Sequence, residues 1–122
     1  MLDKKTVREI AAKYAKEVRN ILDPEAVILF GSYVNGTPHE YSDIDIAVIM
    51  NNYQGNWYET AIKLCSLREL VSVDIEPHLM DETYDPGGFL EHIKKTGEVI
   101  YRCGHAPVAA NEFAGAITDN RI

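Results

Sequence analysis

Ala26-Val27-Ile28-Leu29-Phe30-Gly31-Ser32, ten further residues, then Asp43-Ile44-Asp45-Ile46-Ala47-Val48-Ile49: the reading of this chain turns on these two segments. Five consecutive apolar residues stopped by Gly-Ser predict a strand buried on both faces. The second segment alternates polar with apolar and then becomes wholly apolar, which predicts another strand. Between them Asn35-Gly36 and Pro38 supply turn chemistry, so Tyr33 to Ser42 reads as a loop. Residues i and i+2 of a strand point to one face, which sets Asp43 and Asp45 side by side next to a glycine turn.

On the N-terminal side, Val7, Ile10, Ala11, Tyr14, Val18 and Ile21 recur at helical spacing, predicting an amphipathic helix from Asp3 to about Leu22. Asp23-Pro24 ends it, because the residue before proline avoids the helical region. On the C-terminal side, Trp57 to Leu70 reads as a helix with Tyr58, Ala61, Ile62 and Cys65 facing inward. Val71 to Leu79 reads as a third strand bearing Asp74. Phe89 to Lys95 reads as a third helix capped by Gly97, and Glu98 to Tyr101 as a short final strand. The order predicts one α/β (α+β) domain over residues 1–101, a small mixed sheet of three to four strands with helices packed on it. Residues 102–122 read as a weakly structured tail.

Composition agrees with one globular domain: 122 residues, 46% hydrophobic and 25% charged. No apolar run approaches the roughly 20 residues of a membrane span. Met1-Leu2-Asp3-Lys4-Lys5 does not read as a signal segment, so a cytoplasmic protein is expected. Cys65 and Cys103 lack metal-ligand spacing and are expected as reduced thiols. The net charge of −7 argues against direct nucleic-acid binding, which needs clustered Lys and Arg. All twelve basic residues lie outside Asn20 to Ile62, a window carrying Asp23, Glu25, Glu40, Asp43, Asp45 and Glu59. A polyanion bound there needs cations from solution.

That requirement matches the chemistry of the pair. Two neighbouring carboxylates repel each other, and a divalent cation removes the penalty, with hard oxygen ligands suiting Mg²⁺ or Mn²⁺. A third carboxylate on a neighbouring strand completes a set able to hold two metals for in-line displacement at phosphorus. Asp74 is the candidate, while Glu76 and His78 share its strand face. Gly31 admits close approach of a phosphate, and Ser32 adds a hydroxyl and, where a short helix starts, free N–H groups. His39, His78, His92 and His105 show no spacing suited to zinc and read first as structural or surface residues, with lining of the acceptor side as the alternative for His78. Trp57 and Tyr58 read first as packing residues and second as a platform for a base. Lys5, Arg8, Lys16 and Arg19 read as the solvated face of the first helix, with docking of an acidic partner as the alternative.

The run Leu29-Phe30-Gly31-Ser32-Tyr33-Val34-Asn35-Gly36, with Ser42-Asp43-Ile44-Asp45-Ile46-Ala47-Val48, resembles the minimal nucleotidyltransferases of the DNA polymerase beta superfamily. The resemblance covers about residues 5 to 101. It implies that Asp43, Asp45 and Asp74 bind two catalytic Mg²⁺ ions (Mn²⁺ as the substitute), with Asp74 also implied in activating the acceptor hydroxyl. Gly31 and Ser32 are implied to contact the β and γ phosphates of an NTP, ATP first. The same resemblance implies an antitoxin partnered with a HEPN-domain toxin, some members transferring AMP to a toxin tyrosine. Family members often carry Arg in the loop where this chain has Tyr33, Val34 and Asn35. About twenty weakly patterned residues follow the core, so the acceptor is expected to be a partner protein with its own binding surface. A non-catalytic binding module is the alternative, and a homo-oligomer stays open.

Overall fold

The computed structural model describes residues 2–36, 38 and 43–104; His39 and His105, Ser42 and most of the expected tail lie outside this range. Helix α1 spans Lys4–Arg19, with the Asp3 carboxylate accepting from Thr6 N–H at 2.7 Å as its N-cap. It stops at Asn20, before the Asp23-Pro24 break, and Ile21 is left exposed. Strand β1 is Ala26–Phe30, helix α2 a single turn at Ser32–Asn35, and strand β2 Ile44–Met50. Helix α3 runs Trp57–Leu67 and tightens into a 3₁₀ turn at Arg68–Leu70. Strand β3 is Ile75–Asp81, helix α4 Phe89–Thr96 and strand β4 Glu98–Arg102.

The four strands form one mixed sheet in the order β3-β2-β1-β4. β1 is antiparallel to both β2 and β4, whereas β2 and β3 run parallel. α1 and α3 cover one face: Val7, Tyr14 and Val18 pack with Leu29, Ile46, Val48, Leu64 and Ile75. α4 covers part of the other, where Leu90 and Ile93 meet Ile28, Phe30, Ala47 and Ile49. Helices on both sides explain why β1 is buried at every position. Pro77 fits β3 because β3 is an edge strand, where a missing N–H need not break the sheet.

Four expectations change. The segment after Gly31-Ser32 begins as the one-turn helix α2, not as an open loop. The third strand starts at Ile75 instead of Val71, because Ser72 Oγ accepts from Asp74 N–H at 3.1 Å and holds a turn. Asp74 therefore precedes β3 instead of lying in it. Helix α3 is rotated: it buries Thr60 and Leu64, while Tyr58 is 76% and Ile62 56% exposed. Thr60 can face inward because its hydroxyl donates to Asn56 C=O at 2.8 Å and meets Tyr53 Oη at 2.8 Å. Finally, the basic face of α1 is not all solvated. Arg8 Nε and Nη2 bond the Glu98 carboxylate at 2.9 and 3.0 Å, and Arg19 lies 4.3 Å over the Tyr101 ring, tying α1 to β4. Both cysteines are free and exposed, and no helix among the described residues is long and apolar enough to cross a membrane.

Candidate active site

The register of the parallel pair assembles the site. Asp45 stands opposite Glu76, and Ala47 opposite His78, while on the other side of β2 Asp45 faces Phe30. Because side chains alternate, Phe30, Asp45, Glu76 and His78 share one sheet face, the face α4 covers only in part. Three ligand atoms, one each from Asp45, Glu76 and His78, lie within 4.8 Å of one another. His78 Nε2 is 3.2 Å from Asp45 Oδ1, and the two side chains are 30% and 23% exposed.

Asp43 sits immediately before β2, exposed, with its carboxyl in hydrogen-bond reach of Glu76. The hydrogen bond with the Asp43 carboxyl is the main reason the Glu76 carboxyl titrates above the usual carboxylate range; partial desolvation and the Asp45 and Asp43 charges add to it, and His78 opposes it. Crowding of this kind is what a divalent cation relieves, so the donor set fits a hard or borderline metal ion.

Gly31 has a structural duty that sequence reasoning did not foresee. Its φ of 89° lies in the left-handed region, and a Cβ built there would stand 2.3 Å from Asp45 Oδ2. The glycine makes room for the carboxylate itself, in addition to any phosphate. Ser32 then opens α2, whose backbone closes through Val34 N–H and Asn35 N–H to Gly31 C=O at 3.0 and 2.9 Å. The N–H groups of Ser32 and Tyr33 precede the first intrahelical bonds, and among the described residues no group accepts from them.

The structure thus brings Asp43, Asp45 and Gly31 together and sets Ser32 next to Gly31. It does not bring Asp74 into the tight group. Asp74 lies exposed in the turn, joined to β2 only through its main chain: its C=O accepts from Ile44 N–H at 2.8 Å. Glu76 takes the place beside Asp45. The signal was available, since Asp74, Glu76 and His78 alternate along one face, but the starting residue of β3 decides which of them stands opposite Asp45.

With the geometry in hand, comparison with known proteins identifies the class. A family profile for polymerase beta nucleotidyltransferases matches residues 7–104, and the chain belongs to that family. A candidate nucleotidyltransferase from Sulfolobus solfataricus shares the fold at 20% identity and a TM-score of 0.61, over 85% of this chain and 89% of that one. A crystal structure of a toxin-antitoxin with AMP-PNP is 30% identical, TM-score 0.52, over 75% of this chain and 73% of that one. A doubly substituted mutant of the toxin-antitoxin MntA-HpeT is 27% identical, TM-score 0.51, with coverage of 75% and 73%. No curated protein sequence matches. The neighbours accord with the minimal nucleotidyltransferase branch, and the chain carries a nucleotidyltransferase domain.

Proposed function

We propose that this protein transfers a nucleoside monophosphate, AMP from ATP first, to a hydroxyl of a partner protein, as the antitoxin of a HEPN/MNT toxin-antitoxin pair. The observation that carries the reading is the convergence of Asp43, Asp45 and Glu76 beside the Gly31-Ser32 turn. The nucleotide is supported by the 30% identical neighbour that holds AMP-PNP, and the partner by the toxin-antitoxin nature of that neighbour. In the MntA-HpeT mutant two aspartates, two positions apart, are exchanged for glutamates, the same spacing as Asp43 and Asp45.

Asp43, Asp45 and a third carboxylate would hold two divalent ions, Mg²⁺ or Mn²⁺, which when bound neutralise the triphosphate and polarise its α-phosphate. Gly31 and Ser32 would seat the terminal phosphates on backbone N–H groups and a hydroxyl. The acceptor oxygen forms a bond to the α-phosphorus while the bond to the β-phosphate breaks, and pyrophosphate leaves in line. Its proton passes to a carboxylate. Glu76, which lies beside Asp45, would take it, and the exposed Asp74 would meet the incoming acceptor.

The test uses ATP labelled at the α-phosphate, Mg²⁺ and host lysate, with γ-labelled ATP alongside and an Asp43→Asn/Asp45→Asn control. A protein band labelled from the α position only, and by the unaltered chain only, is expected. A labelled small molecule with no labelled protein would overturn the acceptor. Absence of any label with the partner demonstrably bound would favour neutralisation by contact alone, a reading in keeping with the absence of a basic side chain on α2.

A further inference from the structure

We propose that His78 supplies a nitrogen ligand to the metal position between β2 and β3, with Asp45 and Glu76, and so tunes that position toward Mn²⁺-type ions over Mg²⁺. The inference rests on the metal-dependent reading above and assigns His78 a part that the carboxylates alone do not explain.

The imidazole is aimed, not incidental. Parallel register puts His78 one strand step beyond Glu76 on the same face, and its Nε2 reaches diagonally to Asp45 Oδ1 at 3.2 Å. An ion with bonds of about 2.1 Å holds neighbouring octahedral ligands roughly 3.0 Å apart and opposite ones roughly 4.2 Å apart. The 3.2 Å gap and the 4.8 Å limit on the three-residue group therefore suit one ion with little side-chain movement. The ring is also held from behind. Phe30 meets it edge-on at 5.0 Å, and Phe89 of α4 braces Phe30 at 5.8 Å. Packing of this kind fixes the direction of the nitrogen before any ion arrives.

Asp45 divides its two oxygens. Oδ2 lies against the Gly31 turn, where the phosphates are placed, and Oδ1 lies against His78. The Asp43 side of the site offers oxygen only, the donor set that suits Mg²⁺ with its retained waters. The His78 side mixes carboxylate with imidazole, and a neutral nitrogen donor is accepted by Mn²⁺ and the first-row ions after it more readily than by Mg²⁺, which keeps to oxygen. Among the described residues no group hydrogen-bonds His78 Nδ1. The ring proton can therefore reside there, which frees the Nε2 lone pair for an ion in place of the hydrogen bond to Asp45.

The full chain, freed of metal and titrated with Mn²⁺ alone, provides the test. Pulsed electron paramagnetic resonance reads ¹⁴N coupling to the bound Mn²⁺, and calorimetry reads Mn²⁺ and Mg²⁺ affinities, for the unaltered protein, His78→Gln and Asp45→Asn. We expect nitrogen coupling in the unaltered protein and none in His78→Gln. The glutamine chain should lose about tenfold in Mn²⁺ affinity and less than twofold for Mg²⁺. Bound Mn²⁺ that is lost in Asp45→Asn yet shows no nitrogen coupling would overturn the role of His78 and leave the metal-dependent reading standing. Nitrogen coupling that persists in His78→Gln would overturn it as well. Mn²⁺ binding that survives Asp45→Asn, or no binding at all, would overturn both. The measurement on the unaltered protein needs no variant to fold.

Discussion

At the C-terminal end of β3, Asp81 is 9% exposed and accepts from the N–H groups of Asn52, Tyr53 and Thr83 and from the Thr83 hydroxyl, at 2.9, 2.8, 2.9 and 2.6 Å. Near the N-terminal end of the same strand, Glu76 faces Asp43 and Asp45, carboxyl against carboxyl. The two ends teach opposite lessons about a buried or crowded acid. Donors from the loops hold the Asp81 carboxyl far below the usual range, the Thr83 hydroxyl most of all. They weld the β2–α3 loop to the end of β3. Glu76 is pushed the other way by its neighbours. One acid is satisfied by the fold, and the others crowd one another in a group that could hold a cation.

The sharpest way to break the contrast is Asp45→Asn. Transfer activity is expected to fall about a thousandfold or more, while the melting temperature of the metal-free protein stays level or rises as repulsion is relieved. Undiminished turnover would remove the carboxylates from the mechanism. Gly31→Ala comes next. Its Cβ would collide with Asp45 Oδ2 and its φ is unfavourable, so activity should fall about a hundredfold with the carboxylate displaced. The check is a steady-state assay beside a thermal melt.

At the other end, Asp81→Ala strands three backbone N–H groups and should cost about 2–3 kcal/mol of stability with no direct loss of metal binding. Chemical denaturation reads it. The two ends should also respond to acid with opposite signs. The lowered Asp81 pKa contributes stability that is fully present above about pH 4 and is lost as pH falls through the folded value. The raised Glu76 pKa does the reverse in metal-free protein: its penalty is absent below about pH 4 and grows as pH rises through the folded value. In melts between pH 3 and 7, Asp81→Asn should flatten the acid limb and Glu76→Gln the limb above it. Matching slopes in both variants would erase the distinction. The smallest effect is expected away from both clusters, at the half-buried Arg8–Glu98 pair, whose double-mutant coupling should be about 1 kcal/mol.

Much of this molecule could be read without coordinates where one signal dominated. β1 matches its expected bounds, because five apolar residues between Glu25 and Gly31 leave no other burial scheme. α4 and β4 were placed within one residue by Phe89 and by the Gly97 cap. Readings failed where polar residues took core positions or a side chain reset a boundary. Thr60 hides inside through two hydrogen bonds, so the apolar Tyr58 and Ile62 misled the rotation of α3. Ser72 bends the chain ahead of β3 and moves Asp74 out of the strand.

The sequence by itself determined the strand-glycine-carboxylate order that places Gly31, Ser32, Asp43 and Asp45 in one family, because those choices are local in chain spacing and backbone freedom. Only the tertiary structure decided which acid stands across from Asp45. Parallel pairing is fixed by long-range burial and register, and a shift of two residues along β3 would exchange Asp74 for Glu76 while keeping the same face. The orientation of His78 toward Asp45 and the need for Gly31 beneath the carboxylate arise in the same way, from neighbours brought together across the sheet.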